Sequence, residues 1–197
     1  MKEIMTTLTT KALFSDDGLD RYLLTKTWDE KKQRLAVIMM APSQASGVAL
    51  DNTTQLVLNN ADRLGYGSVT ILNLFARVGD FALKEADEED PENLEAIVST
   101  CQNVEAIIYA AGVGKSTNKL FQERQKQVLE ALRPMEARLH CLCDAHGQAR
   151  LQHPLSPAVR VWHLSHLKVS ELVEETKPKD EPARKIKPLA AKAQSVN

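Results

Sequence analysis

The sequence predicts an α/β domain: a central, mainly parallel sheet with helices on both faces, giving a three-layer α/β/α arrangement. Two observations carry this. Apolar runs of strand length recur at residues 35–40, 68–75, 104–111 and 138–143. Between them fall turn residues and then helix-start signals, the alternation that parallel strands with crossover helices require. No internal repeat is visible.

Residues 1–19 are polar and Thr-rich without a clear period, and are expected to form a flexible N-terminal arm. Residues 21–28 (RYLLTKTW) read as a strand from their β-branched and aromatic content. The polar stretch 29–33 reads as a turn, so this strand is expected to form a hairpin with the one beginning at Leu35. That second strand is an almost unbroken apolar run, the mark of a buried parallel strand. It ends abruptly in Ala41-Pro42-Ser43. Asp51 or Asn52 caps a helix over 53–63, with Val57, Ala61 and Leu64 on one face and Gly65 as the stop.

A strand over 68–75 is followed by a long acidic loop, 76–89. Asp90, Pro91 and Glu92 then supply a cap, a proline at the first helical position and an acid in the first turn, opening a helix over 93–100. The strand at 104–111 ends at Gly112. Thr117 or Asn118 caps a long helix carrying Leu120, Phe121, Val128 and Leu132, which Pro134 stops. A fourth core strand covers 138–143, and a short helix or strand is expected within 159–173. From residue 174 to 197 Lys, Glu and Pro rise while apolar residues thin out, predicting a disordered charged tail. The division is thus an arm (1–19), one α/β domain (20–173) and a tail (174–197).

Hydrophobic residues make up 43% and charged residues 26% of the 197, values of an ordinary globular protein. A net charge of −1 argues against a protein that grips duplex DNA through its overall field. No apolar run reaches the roughly 20 residues that span a bilayer, so no membrane partner is expected. Three cysteines and no export signal point to the cytoplasm.

Ligands of open α/β sheets sit at the carboxyl ends of the strands, which directs attention to four loops. Residues 112–116 (GVGKS) resemble a phosphate loop, with Lys115 as the cation. The motif needs a glycine five residues before Gly114, and that position is Tyr109. An anion held by the helix start, Gly112 and Lys115 is the weaker version, and a plain strand-to-helix turn is the third reading. His140, Cys141, Cys143 and His146 are metal-ligand types. Cys141 and Cys143 would point one way and His140 the other, with no second ligand pair elsewhere, so no metal and no cofactor is expected. His153 precedes Pro154, which biases it to an extended backbone and fixes the imidazole at a strand end. Asp51 places a carboxylate at the same rim. Trp28 and Trp162 read as packing residues.

Taken together, RYLLTKTW, AVIMMAPSQASGVALDNTT, LGYGSVTILNLFA, AAGVGKS and HGQARLQHPLS resemble an uncharacterised bacterial and phage family known as a domain of unknown function. Its pattern is Asn-Pro-Ser, Asp-x-Thr, Asn-Leu-Phe-Ala and His-Pro-Leu, and the resemblance covers residues 21–156. That family in turn is similar to the uracil-DNA glycosylase superfamily, which implies a three-layer fold and a base pocket. By this likeness Pro42 and Ser43 would line the pocket, with Thr53 beside Asp51 in the second motif. Asn73 and Phe75 would approach a bound base, and His153 and Pro154 would contact nucleic acid. Ala41 stands where the family has Asn, and Ser156 where an aromatic is more usual. A hydrolase of glycosylase type would therefore rely on Asp51 to polarise water and on His153 to stabilise the leaving base or a phosphate. The resemblance favours a nucleobase- or nucleic-acid-binding or base-processing protein. The alternatives are a nucleotide-binding enzyme using 112–116 and a non-enzymatic interaction domain.

Overall fold

The computed structural model describes residues 1–43, 47–79, 90–112, 118–148 and 150–175, the last three by backbone alone. Its centre is a seven-stranded sheet in the order β1-β2-β4-β3-β5-β6-β7. The strands are β1 (Thr9–Phe14), β2 (Arg21–Thr27), β3 (Arg34–Met39), β4 (Ser68–Asn73), β5 (Ala106–Tyr109), β6 (Leu139–Cys143) and β7 (His163–His166). The helices are α1 (Asn52–Arg63), α2 (Pro91–Gln102), α3 (Lys119–Leu132) and α4 (Val169–Glu175).

Strands β4, β3, β5 and β6 form a parallel centre, and β1, β2 and β7 add antiparallel edges. The sheet is therefore mixed rather than mainly parallel. Leu35, Val37 and Met39 of β3 face Val57 and Ala61 of α1, together with Ile108 and Trp162. The alternate residues Ala36 and Ile38 share the opposite cluster with Leu72, Ile97, Phe121, Val128, Leu129 and Leu172. Every residue of 35–38 is fully buried because both faces are covered, which is why the run reads as continuously apolar.

Several expectations need correction. β2 does not form a hairpin with β3; it pairs antiparallel with β4, Leu24 opposite Ile71 and Thr27 opposite Ser68. The turn between β2 and β3 crosses the start of β4, with Trp28 and Asp29 donating their N–H groups to the Gly67 carbonyl at 2.9 and 3.0 Å. The stretch expected to be an arm contains β1, which pairs with β2 from Thr9 opposite Thr27 to Phe14 opposite Arg21. α3 does end just before Pro134, at Leu132, and a 3₁₀ segment, Arg133–Arg138, follows it. Beyond residue 159 the chain forms both β7 and α4. Residues 80–89 of the expected acidic loop and 176–197 of the expected tail lie outside the described residues, while 174 and 175, expected in the tail, end α4. The caps are as expected: Asp51, Asp90 and Asn118 each accept a backbone N–H of the first turn that follows.

Candidate functional site

The chain passes from β3 to β4 on one side and returns to β5 on the other, so the strand order reverses at β3. The crevice outside the carboxyl ends of β3 and β5 is the position where such sheets bind ligands. Backbone bonds extend the sheet to this rim: Leu74 and Phe75 donate to the Met39 and Met40 carbonyls, and Ala110 donates to Ile38.

Asp51 is the N-cap of α1. Its Oδ1 accepts the Thr54 N–H at 2.6 Å. Its Oδ2 is buried and has no hydrogen-bond partner among the described residues. Burial alone would raise the Asp51 pKa, but bonds from the Ser43 side chain and from Thr54 outweigh it and hold the carboxyl below its usual range. Asp51 is therefore an anion at neutral pH. Its charge opposes the downward shift that burial imposes on the pKa of Arg21 and of His153. Asp51, Ser43, Arg21 and His153 thus form one electrostatic cluster.

Arg21 is 2% exposed and donates through Nη1 to the Ser43 carbonyl at 3.3 Å. Nδ1 of His153 accepts the Leu155 N–H at 3.2 Å, so the neutral ring carries its proton on Nε2. Pro42 and Pro154 are buried beside the rim, and Thr53 is half-buried in the first turn of α1. Asn73, the last residue of β4, is 1% exposed, and its Nδ2 has no partner among the described residues. The backbone around Asn73 is fixed from α2 and α3. Asn93 Nδ2 donates to the Asn73 and Leu74 carbonyls at 3.1 Å each. Arg124 Nε reaches the same Leu74 carbonyl at 2.8 Å, and its Nη2 reaches the Asp90 carbonyl at 3.2 Å.

Phe75 is packed in the core against the α2 and α3 side. Gly112 takes a left-handed backbone, φ 95°, at the end of β5, but Lys115 lies outside the described residues. Cys101, Cys141 and Cys143 are buried free thiols. Among the described residues no three His, Cys, Asp or Glu side chains gather as a metal site. Sequence reasoning missed Arg21, Asn93 and Arg124, each of which donates to backbone carbonyls near the rim.

Burial depresses the His153 pKa below its usual 6.5. The folded state then resists protonation, and the unfolded state binds more protons below that pH. The associated stability is complete above about pH 6.5 and is lost as pH falls through the lower folded value. Urea unfolding of His153→Gln across this range should show a shallower loss of stability on acidification than the parent. Identical pH profiles would place the imidazole in free solvent.

Residues 21–155 match the family described as "Protein of unknown function (DUF1643)", more than half of the chain, and the protein belongs to that family. No curated protein and no solved structure is matched by the chain. No helix among the described residues is long and apolar enough to cross a membrane.

Proposed function

We propose that the rim formed by β3, β4 and α1 binds a nucleobase, free or within nucleic acid, and that the protein processes it. The observation that carries this reading is a pair of buried polar atoms at that rim with no partner among the described residues: the acceptor Oδ2 of Asp51 and the donor Nδ2 of Asn73. Leaving such groups unpaired costs about 1–3 kcal/mol each. A ligand offering both an N–H and a carbonyl oxygen satisfies both, and the edge of a pyrimidine or purine lactam offers them side by side. The motif resemblance to the glycosylase superfamily supports the same class. On this reading α1 on one face and α2, α3 and α4 on the other are the outer layers of a three-layer glycosylase-like fold.

In the reaction we assign, on a base still joined to its sugar, the Asp51 carboxylate orients a water and takes its proton as the water oxygen bonds to the sugar C1′, while the C1′–N bond breaks and its electron pair leaves with the base. The neutral His153 donates its Nε2 proton in a hydrogen bond to the oxygen of the departing base or to a phosphate. Ala41 contributes neither charge nor hydrogen bond, so the carboxylate of Asp51 carries the hydrolytic role alone.

Thermal shift against a panel of free bases, nucleosides, triphosphates with magnesium and uracil-containing oligonucleotides tests the proposal. A ligand at 100 times its dissociation constant adds about 2.7 kcal/mol, on the order of 5 to 10 °C here. Asp51→Asn keeps a capping oxygen, so its stability should stay near that of the parent while base affinity falls by about tenfold or more. Asp51→Ala should lose the same affinity and about 1 kcal/mol of stability besides. A shift with triphosphates alone, abolished by Lys115→Ala, would reject the base-binding reading in favour of the phosphate-loop one.

A further inference from the structure

β2 carries a second buried cation, which the site described above does not use. Lys26 is 1% exposed and shares the α1 face of the sheet with Leu24 and Val69. Its ammonium donates to the Thr10 hydroxyl at 2.9 Å and to the Gly47 carbonyl, and the Thr10 hydroxyl donates to that same carbonyl at 3.0 Å. Among the described residues Lys26 pairs with no carboxylate. An ammonium taken out of water without a counter-ion is unfavourable, and the neighbouring positions are filled by aliphatic side chains. A core lysine here therefore calls for a reason other than packing.

Gly47 belongs to the segment joining β3 to α1, between Ser43 and Asp51. Residues 47–50 are all exposed, Val48 at 94%, so no apolar side chain anchors them. What they have instead is a set of polar tethers from the two outer strands. Lys26 and Thr10 hold the Gly47 carbonyl, and five positions back along β2 Arg21 donates to the Ser43 carbonyl. These tethers from Lys26, Thr10 and Arg21 end on backbone carbonyls, so they hold Gly47 and Ser43 without depending on those residues' side chains.

We infer that β2 is the positioning strand of the site: Lys26, together with Thr10, holds residues 47–50 and through them Asp51 at the rim, while Arg21 holds Ser43. This rests on the reading that the rim is the ligand site. Lys26 touches no ligand in this account and acts only through the segment.

Limited proteolysis with fragment mapping, combined with melting temperature and base affinity, tests the inference on the full chain. Lys26→Met keeps the length of the side chain and removes the donor. It should accelerate cleavage between residues 47 and 51 by about tenfold, the local opening expected when a charged hydrogen bond is lost. The melting temperature should hold or rise, since an apolar isostere suits the site. If Lys26→Met does not fold, Thr10→Val removes the other donor to the Gly47 carbonyl and should accelerate the same cleavage. Unchanged cleavage in a folded variant overturns the inference, as does a general loss of stability with cleavage throughout the chain. Faster cleavage with unchanged affinity for a base that the parent binds also overturns it. Faster cleavage in a parent that binds no base of the panel leaves the tether standing and rejects the proposed function.

Discussion

Gly67→Ala is expected to be the most damaging single methyl group in the protein, lowering stability by more than about 4 kcal/mol. A Cβ built on Gly67 would lie 2.0 Å from the Asp29 carbonyl oxygen and 2.7 Å from Lys32 Cβ. The nearest of these atoms is backbone, so no rotamer change relieves the contact. The turn from β2 to β3 crosses the start of β4 at this point, closing onto Gly67 through the Trp28, Asp29 and Gln33 backbone bonds. At about 2–4 °C per kcal/mol for a domain of this size, melting should fall by roughly 10 °C or more. Gly65 provides the control. Its backbone is left-handed, φ 88°, with nothing within 4 Å of an added Cβ, so Gly65→Ala should cost only about 1–2 kcal/mol of conformational strain. Equal effects of the two substitutions would mean that β2 does not cross beside β4, and the positions of Arg21 and Lys26 would fall with it.

That crossing also marks the boundary of what the chain reveals locally. The apolar run at 35–39 and the caps Asp51, Asp90 and Asn118 are visible because each is a signal confined to a few consecutive residues. Strand pairing is not: nothing in 21–28 or 34–39 says that Ser68–Asn73 will insert between them, since the partner is supplied 40 residues later. β1 escaped the reading because all six of its residues are exposed, leaving no alternation of apolar and polar positions to detect. Within the candidate site, Asp51 and His153 were legible as chemistry-bearing types beside turn signals. Phe75 was legible only as an aromatic at a strand end, which suits a base platform and a core residue equally, and the fold uses it as core. Arg21, Lys26 and Arg124 were illegible for a different reason. A charged residue in an amphipathic pattern reads as solvent-facing, and each of these three donates to at least one backbone carbonyl, a group present at every position of any chain.

Arg124→Ala should therefore be costly in a way that composition hides, about 3 kcal/mol. Its side chain is 1% exposed and ties α3 to the end of β4 through the Leu74 carbonyl and to the start of α2 through the Asp90 carbonyl. Lys at this position would not replace it, because a single ammonium cannot reproduce the fork that reaches both carbonyls. The decisive measurement is a double-mutant cycle with Asn93→Ala. Arg124 and Asn93 both donate to the Leu74 carbonyl, at 2.8 and 3.1 Å. Either single substitution leaves that oxygen one donor, and the pair leaves it without a side-chain donor. Because an unsatisfied buried acceptor costs more than a weakened one, the double variant should lose about 1 kcal/mol beyond the sum of the singles. Asn73 precedes Leu74, so each single variant should also weaken base binding at the rim while α1 and its Asp51 cap stay intact. Additive stabilities would mean that the two side chains act on separate carbonyls, and unchanged binding would remove Asn73 from the site.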